Sequence, residues 1–408
     1  MITLLKIAYR DLGRNRRRTF LSCLALGVGV ALLLMMAAVF TGEMRDSMDV
    51  SIRLQSGHLQ LRAPSYDEAK TSLEWNDLVA DPDKLAAQIA ALPGVVAATP
   101  RLYASGIVSS SDDTMGVRII GIEPASAANA PFRDGLLSGK FLSADDTSGI
   151  LIGRRLAQKL NLQVDSQLAL LANTSNGDVA QQNFTVRGIY STTSATYDEG
   201  IVFLPLAKAQ ALTSTQGHAS LLFILLQNSE QTPAVAAALK TSYKLLTFED
   251  MNEMLVQLSK MSDAFLFVLY LIILAIVVTV IVNTLVMSVF ERTREIGILA
   301  AIGMKGRRIM LMFFLEAALM ALGGILIGLV LGGLVSWYTA AYGIPIDTAK
   351  FGLTTTGFLF KDHLYGYLTV KDTITLSLTA LGVTLVAAIY PAQLAAKMEP
   401  VEALHGGS

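Results

Sequence analysis

The sequence contains little of what soluble enzymes and secreted domains usually depend on. It has one cysteine, Cys23, so no disulfide can form within one chain and an exported domain must fold without one. Charged residues make up only 16% of the 408 residues, against 52% hydrophobic residues, and the mean hydropathy is +0.50. This composition excludes an ordinary soluble protein and indicates an integral membrane protein.

The sequence also has no recognisable motif for catalysis, metal binding or nucleotide binding. Its four histidines are scattered, without the spacing of a zinc site or of a base beside a nucleophile. The phosphate-loop pattern G-x-x-x-x-G-K-[ST] does not occur, and the nearest segment, Gly303–Gly306, lacks its spacing and its hydroxyl residue. The acidic pairs Asp112–Asp113 and Asp145–Asp146 fit turns. We therefore predict no catalytic residue, no cofactor bound by this chain and no metal site.

Long apolar segments are what the sequence does contain. A hydrocarbon core of ~30 Å is crossed by about 20 helical residues, so we predict transmembrane spans at 20–41, 264–290, 309–338 and 373–390. A cleaved signal peptide is the alternative for the first segment, but its apolar stretch exceeds the usual length of a signal-peptide core. Basic residues cluster before the first span and between the second and third spans, which predicts that both termini are cytoplasmic.

The segments outside the spans differ in polarity and periodicity. Residues 42–263 are mixed in polarity, and alternating stretches such as His58–Arg62 with short helical stretches predict an α+β domain. Helical spacing before this domain, and again after a Thr247–Asp250 cap, predicts a helical stalk at each end. The remaining predicted segments are a cytoplasmic amphipathic helix at 1–19, a cytoplasmic coupling helix at 291–308, an external loop at 339–372 and a cytoplasmic tail at 391–408.

Two features inside the predicted spans indicate helix packing or coupling. Gly324, Gly328, Gly332 and Ser336 recur every four residues, a stripe of small residues that lets another helix approach closely. Asn283 and Glu316 are polar groups that need partners in hydrocarbon. We expect Asn283 to be satisfied by local or interhelical contacts. For Glu316, pairing with basic residues near the cytoplasmic face and a role in conformational coupling stay equally open.

The charged segment between the second and third spans, ERTREIGILAAIGMKGRR at 291–308, predicts a small amphipathic helix. Ile296, Leu299 and Ile302 recur at near-helical spacing between charged residues. Such a helix can lie across the membrane surface and offer one face to a soluble partner. The alternative is that its apolar residues only anchor the loop in the lipid interface.

These motifs together resemble the FtsX-like, MacB-type family of ABC transporter permeases, in particular its lipoprotein-releasing LolC/LolE branch. The residues that carry the resemblance are Glu291–Gly297 with Ala301–Gly303, Glu316 and the glycines after it, Pro391–Ala392, Glu399–Leu404, Arg10 with Asn15, and Ser56–Leu61. They lie near both ends of the chain and in the loop between the second and third spans.

The resemblance implies a dimer of permease chains, identical or paralogous, with two copies of a separate cytoplasmic ATPase subunit that binds MgATP. It implies a membrane α-helical fold of four transmembrane helices with an inserted α+β extracytoplasmic domain of two lobes, bounded near residues 123 and 191. MacB itself differs, because its ATPase is fused ahead of the first span. The residues that we expect to couple to the ATPase are Glu291, Arg294, Glu295, Ile296, Gly297, Leu299, Ile302 and Gly303.

We therefore expect a permease subunit of the cytoplasmic (inner) membrane that is not itself an enzyme. It would couple ATP hydrolysis by its partner to movement of the extracytoplasmic domain and to export or membrane extraction of a hydrophobic or lipidated substrate. The alternatives are a mechanotransmitter acting on an envelope partner, and a receptor or sensor without transport. Further expected partners are membrane lipid and an envelope protein or lipoprotein, whereas a net charge of −1 gives no reason to expect nucleic acid.

Overall fold

The chain in the computed structural model divides into two units. Among the described residues, the membrane unit comprises those within 2–44, 258–345 and 363–398, and the sheet unit comprises those within 45–257. The structure describes residues 2–14, 16–68, 70, 73–110, 113–192, 194–239, 241–345 and 363–398. Asn15, Asp112, Glu399–Leu404, His405 and much of the predicted external loop at 339–372 therefore lie outside the described residues.

The membrane unit consists mainly of long helices, and shorter helices occur in the sheet unit. The helices of the chain are α1 Ile2–Arg14, α2 Arg16–Ser51, α3 Pro82–Ala90, α4 Ala130–Asp134, α5 Arg154–Lys159, α6 Ala195–Gly200, α7 Leu206–Thr213, α8 Thr232–Ala238, α9 Phe248–Met251, α10 Glu253–Glu291, α11 Thr293–Ala301, α12 Gly306–Tyr342, α13 Val370–Ala387 and α14 Ile389–Ala396. Within the described residues, four helical segments are long and apolar enough to cross a membrane, Arg16–Ser56, Glu253–Glu291, Gly306–Tyr342 and Val370–Ala396. The expected four apolar helices are thus confirmed.

The core of the membrane unit lies between α2, α10 and α12, with Leu376 and Ala380 of α13 in the same cluster. Leu26, Val30, Leu33 and Leu34 of α2 are almost fully buried, in one cluster with residues of the other two helices. Val30 follows Leu26 by four residues, and Leu33 and Leu34 follow Val30 by three and four, so all four lie on one side of the helix. The same cluster contains Val277, Ile281 and Leu285 of α10 and Ala317, Met320 and Ile325 of α12.

Strands make up most of the sheet unit. They are β1 Leu59–Arg62, β2 Val79–Ala80, β3 Val95–Ser109, β4 Thr114–Ile122, β5 Leu136–Gly139, β6 Gly149–Gly153, β7 Gln167–Asn173, β8 Val179–Tyr190, β9 Ile201–Pro205, β10 His218–Ala219, β11 Leu221–Leu226 and β12 Lys244–Thr247, while β13 Ile344–Pro345 and β14 His363–Leu364 belong to the membrane unit. Ten strands form one mixed sheet in the order β12-β1-β11-β3-β4-β9-β6-β8-β5, with β7 paired to β3 and β8.

This single sheet does not confirm the two-lobed arrangement expected for the domain. Strand β9 follows the predicted boundary near 191, yet it pairs in parallel with β4, which precedes the boundary near 123. On its other edge β9 pairs with β6, from the segment between the two boundaries. Hydrogen bonds therefore cross both boundaries.

The two stalks attach to neighbouring strands. A π-helix, Ile52–Ser56, continues α2 and leads into β1. Strand β1 pairs with β12, where Leu59 lies opposite Thr247. Thr247 then caps α9 together with Asp250, and the hydrogen bonds from the Thr247 backbone and hydroxyl lower the pKa of the Asp250 carboxyl. The helix that enters the domain and the helix that leaves it thus meet one hydrogen-bonded pair of strands.

Candidate coupling site and membrane cleft

The predicted coupling helix forms α11, a short helix set between two breaks. Arg292 leaves helical geometry at φ −112° and ψ 17°, which ends α10 and begins α11. Gly303 closes the helix at φ +96°, a conformation that favours glycine, and its N–H donates to the Ala300 carbonyl at 3.0 Å. Lys305 is extended and α12 starts at Gly306. α11 is therefore a separate helix, and not a continuation of α10 or of α12.

One face of α11 is buried inside the protein. Ile296 is 1% exposed, and the neighbouring Gly297 is also buried. The Ile296 side chain belongs to an apolar cluster with residues of α10, α12 and α14 that include Val289, Ile309, Met312, Phe313, Ala392 and Ala395. Ile296 and Gly297 are covered by this chain itself, so their predicted role in coupling to the ATPase stays a prediction and would act through the contacts of the buried face. Near-helical spacing shows that apolar residues share a face, but not what covers it.

The opposite face of α11 is exposed and mixes apolar and basic side chains. Ile302 is 80% exposed and Ile298 is 44% exposed, although both are apolar. Arg294 and Gly303 are exposed beside them, whereas Leu299 is only half-buried. Lys305, Arg307 and Arg308 extend the exposed basic character after the helix. We call Arg294, Ile298, Ala301, Ile302 and Gly303 the exposed face of α11.

A buried ion cluster lies behind α11, and its centre is Arg292. The Arg292 guanidinium contacts Asp11 at 2.5 Å, Glu295 at 3.1 Å and Glu316 at 3.4 Å. The side chains of Arg292 and Glu316 are only 8% and 7% exposed. Of the two alternatives for Glu316, pairing with a basic residue is thus the contact that the structure shows. The cluster connects the start of α11 with α1 and α12, and the Arg292, Asp11 and Glu316 side chains are largely shielded from water, whereas Glu295 is 44% exposed.

Two further arginines continue the cluster towards the surface. Arg14 contacts Glu295 at 2.6 Å, and Arg18 contacts Glu291 at 2.6 Å while also donating to the Thr284 carbonyl oxygen. The hydrogen bond from Arg14 lowers the pKa of the Glu295 carboxyl, helped by the bond from Arg292 and opposed by partial burial. Glu295 therefore stays ionised as a bridge between α1 and α11.

Sequence reasoning did not identify Arg292, Asp11 or Arg18 as members of a site. Two signals pointed to Arg292: its spacing of three from Glu295, and the need of the buried Glu316 for a cation. No periodicity selects Asp11, because its contact with Arg292 joins residues 281 positions apart.

The small-residue stripe packs against α2. A Cβ atom added to Gly324 would lie 2.2 Å from Leu26 Cδ2, and one added to Gly328 would lie 2.6 Å from Val30 Cβ. At Gly332 the corresponding distance to Leu34 Cδ1 is 3.0 Å. Ser336 is also buried, and its hydroxyl has no hydrogen-bond partner in the described part of the chain. The first three glycines thus allow close approach of α2 and α12.

Asn283 differs from its polar neighbours in α10. The hydroxyls of Thr279 and Thr284 donate to backbone carbonyls four residues earlier, at 2.9 and 2.8 Å. Asn283 is exposed, and its carboxamide makes no hydrogen bond to another described residue. Met287 and Phe290 continue the same exposed side of α10. This side presents an unsatisfied polar group on an apolar span.

A cleft of about 210 Å³ lies between α2, α10 and α13, towards the opposite end of the membrane unit from α11. Apolar and polar side chains both line it, and they are Ala37, Thr41, Asp263, Leu266, Tyr270, Asp372, Thr375 and Leu376. For comparison, a dry cavity of roughly 150 Å³ accommodates a benzene ring. Asp372 accepts a hydrogen bond from the Thr369 hydroxyl at 2.5 Å. The cleft therefore offers apolar walls with carboxylates near them.

No group of three or more metal-ligating side chains occurs among the described residues.

Comparison with known proteins assigns the chain to a family. Residues 19–242 match the MacB-like periplasmic core domain, which is more than half of the chain, and residues 267–400 match the C-terminal part of FtsX-like permeases. The chain therefore belongs to the FtsX/MacB/LolCE family of ABC transporter permeases, whose members work with an ABC ATPase.

Individual relatives come from both branches of this family. The lipoprotein-releasing system transmembrane protein LolC of Neisseria meningitidis is 23% identical, over 95% of this chain and 93% of the relative. The macrolide export ATP-binding/permease protein MacB of Rhodospirillum rubrum is 28% identical, over 98% of this chain and 60% of the relative. The periplasmic region of MacB from Actinobacillus actinomycetemcomitans, a crystal structure, matches half of this chain with 11% identity and a TM-score of 0.36.

Proposed function

We propose that this chain is the membrane subunit of a transporter that extracts or exports a hydrophobic or lipidated substrate, driven by ATP hydrolysis in a separate subunit. The observation that carries this proposal is the exposed face of α11, which combines Ile298 and Ile302 with Arg294 on a helix whose other side is buried. An exposed apolar helix face with a basic rim fits a groove on a soluble partner. We propose that MgATP and the ATPase active site belong to this partner.

The buried side of α11 supplies a route by which such a partner can move the spans. Displacing α11 would move Ile296 together with the helices that it contacts in the apolar cluster, and Arg292 together with its ion-pair partners. Arg292 contacts α1 and α12 at the same time, so these helices cannot shift independently without breaking buried charge pairs. Breaking such a pair costs several kcal/mol. A push on α11 is therefore delivered to α1 and α12 together.

The proposed assembly contains two copies of this chain, or this chain and a paralogue, with two ATPase subunits. An exposed carboxamide is unfavourable against lipid, so we propose that the Asn283 side of α10 faces the second permease chain. The basic residues that surround α1 and α11 favour the cytoplasmic side of the inner membrane. In this proposed orientation both termini are cytoplasmic and the sheet unit is extracytoplasmic.

The docking proposal predicts opposite results for two isoleucines of α11. We expect Ile302→Asp to insert and fold normally but to lose the ATPase subunit, because a charge replaces an exposed apolar contact. We expect Ile296→Asp to lower the melting temperature of the chain itself, because it places a carboxylate in an apolar cluster at 1% exposure. Retention of the ATPase on affinity-tagged chain and the melting temperature of the chain are the two measurements.

Lys305→Asp serves as a control for charge alone, since Lys305 is exposed beyond the end of α11. This variant reverses the charge of the side chain and thereby tests whether binding of the ATPase depends on the basic residues around α11 or on the apolar contact of Ile302. Full retention of the ATPase by Ile302→Asp, with normal substrate-stimulated ATP hydrolysis, would rule out docking on the exposed face of α11.

We propose that the hydrophobic part of the substrate enters the cleft between α2, α10 and α13. Leu266 and Leu376 supply apolar wall, and Asp263 and Asp372 directly precede the charge-free stretches of α10 and α13. A lipid-like substrate could thus keep its polar end near the membrane surface while its apolar part enters the bundle. The lipoprotein-releasing relatives make a lipid-modified polypeptide the substrate to test first.

A larger side chain in the cleft tests this proposal. Leu376 is 9% exposed and faces the cleft, so we expect Leu376→Trp to reduce ATP-dependent release of a lipid-modified protein from membrane vesicles at least tenfold. Leu378→Trp is the matched control, because Leu378 is 61% exposed on the same helix. Basal ATP hydrolysis and complex assembly should stay normal in both variants. Equal release by both variants would place the substrate elsewhere.

A mechanotransmitter is the second candidate, because both stalks meet the hydrogen-bonded pair β1 and β12. In that case ATP hydrolysis would act on an envelope partner through the sheet unit. Leu376→Trp would then leave the activity of the partner unchanged, which separates this function from transport through the cleft.

A further inference from the structure

The end of the first stalk is capped by side chains of the sheet unit. A helix leaves its last carbonyl groups without partners inside the helix. Here the Ile52 carbonyl accepts from the Gly57 N–H at 2.8 Å, and the Gln55 carbonyl accepts from the Gln60 side chain at 3.2 Å. The Leu54 carbonyl accepts from two side chains. We call Ile52–Ser56, the π-helix that ends the stalk, the stalk root.

The Leu54 carbonyl joins the stalk root to two distant parts of the sheet unit. The Tyr197 hydroxyl donates to it at 2.6 Å, and the Arg101 Nη1 donates at 3.2 Å. Tyr197 lies in α6, whereas Arg101 lies in β3, between β11 and β4. Burial raises the pKa of the Tyr197 hydroxyl, which stays protonated and keeps its role as a donor. The stalk root is therefore held from two sides.

Arg101 is an unusual residue for the interior of a sheet domain. Its side chain is 0% exposed, and in the described part of the chain no carboxylate lies within ion-pair distance of it. Its Nε and Nη2 atoms have no hydrogen-bond partner among the residues that the structure describes. A buried, unpaired cation is costly, and a well-packed apolar side chain would avoid that cost. Packing alone therefore gives no reason for arginine at this position.

Two contacts offset the charge of Arg101, one with the Phe223 ring of β11 and one with the stalk root. The guanidinium carbon lies 3.6 Å from the centre of the Phe223 ring, a contact that stabilises a cation and holds its plane. The carboxyl end of a helix carries a partial negative charge, and a cation placed there is favourable. The stalk root presents that end to Arg101 through the Leu54 carbonyl.

We propose that Arg101 is a positioning residue that clamps the stalk root to the middle of the ten-stranded sheet. A displacement of the stalk root then reaches β3 directly, and not only through its covalent continuation into β1. The clamp is defined by contacts within the sheet unit. Its use in transmitting movement rests on the proposed transport function.

Hydrogen exchange of the full chain in its ATPase complex tests the clamp. We expect Arg101→Met to increase exchange of the Gly57 amide at least tenfold, since that N–H closes the stalk root. Exchange of the β3 and β11 amides and the melting temperature should stay close to those of the unmodified chain, because methionine fills the site without a buried charge. Arg101→Lys keeps the cation but not the planar fork, so an intermediate rate is expected.

Arg118→Met is the matched control, because Arg118 lies on the neighbouring strand β4 and pairs with Glu68 instead of the stalk root. It should leave Gly57 exchange unchanged. Adding Tyr197→Phe to Arg101→Met removes both donors to the Leu54 carbonyl and should increase the rate further. Unchanged Gly57 exchange in Arg101→Met would overturn the clamp. Faster exchange across the whole sheet with a lower melting temperature would also overturn it, since Arg101 would then be a general structural residue.

Substrate-stimulated ATP hydrolysis provides the functional readout. We expect Arg101→Met to reduce the stimulation at least fivefold with basal hydrolysis unchanged. Normal stimulation with a loosened stalk root would overturn the role of the clamp in transmission. The exchange measurement needs no substrate, so an unmodified complex without stimulation would reject the proposed transport function and leave the clamp itself standing.

Discussion

Arg292→Met is expected to destabilise the membrane unit by about 3–5 kcal/mol, the cost of removing one partner from a buried ion pair. The substitution leaves Glu316 at 7% exposure without the cation that it contacts at 3.4 Å. It also removes the 2.5 Å contact with Asp11, whose side chain is 14% exposed. The measurement is the temperature at which the purified chain loses its monodisperse state, together with retention of the ATPase subunit.

Arg294→Met is the matched control for this variant, since Arg294 is an exposed arginine two residues away on α11. It should melt normally, although it lies on the exposed face of α11 and can weaken ATPase binding. The double variant Arg292→Met/Glu316→Leu should recover only the part of the lost stability that comes from Glu316, because Asp11 still lacks its contact with Arg292. A single variant Arg292→Met that melts like Arg294→Met would show that the ion cluster does not hold α1, α11 and α12 together.

Gly328→Leu is expected to prevent the packing of α12 on α2. Even a Cβ atom at Gly328 would lie 2.6 Å from Val30 Cβ and 2.9 Å from the Gly27 carbonyl oxygen, which is backbone and cannot rotate away. Overpacking typically costs about 1–3 kcal/mol, and we expect the upper end or more because the obstruction includes backbone. Thermal stability and assembly of the complex should both decrease, with Gly328→Ala intermediate.

Gly333→Leu tests the specificity of this effect within the same helix. Gly333 has no atom within 4 Å of the position of an added Cβ, so leucine there should be tolerated. It changes the glycine content and hydrophobicity of α12 in the same way as Gly328→Leu. Equal melting temperatures for the two variants would show that the small-residue stripe faces lipid instead of α2.

The buried face of α11 shows where sequence periodicity stops being informative. Ile296, Leu299 and Ile302 recur at near-helical spacing, and this spacing correctly indicated a short helix. It could not separate Ile296, at 1% exposure, from Ile302, at 80% exposure. Which apolar residue is free for a partner depends on α12 and α14 covering one side. Coverage by distant segments has no signature in a local window of sequence.

The order of the strands was equally inaccessible to local pattern. Alternation located several strands, but the parallel pairing of β4 with β9 joins segments about eighty residues apart in sequence, Arg118 with Ile201. That pairing merges the segments that were expected to form separate lobes. The register of distant strands depends on how their apolar faces fit together, not on the strands themselves.

By itself the sequence determined that this protein has four apolar helices, a charged helical loop between the second and third of them, and the family to which it belongs. These properties follow from residue composition and from contiguous motifs, because crossing a bilayer requires length and hydrophobicity that can be counted along the chain. The tertiary structure alone decided that Arg292 joins Asp11 to Glu316, and that Arg101 lies beneath the Leu54 carbonyl. A buried charge is stable only where distant segments bring it a partner, and that partner is chosen when the segments pack.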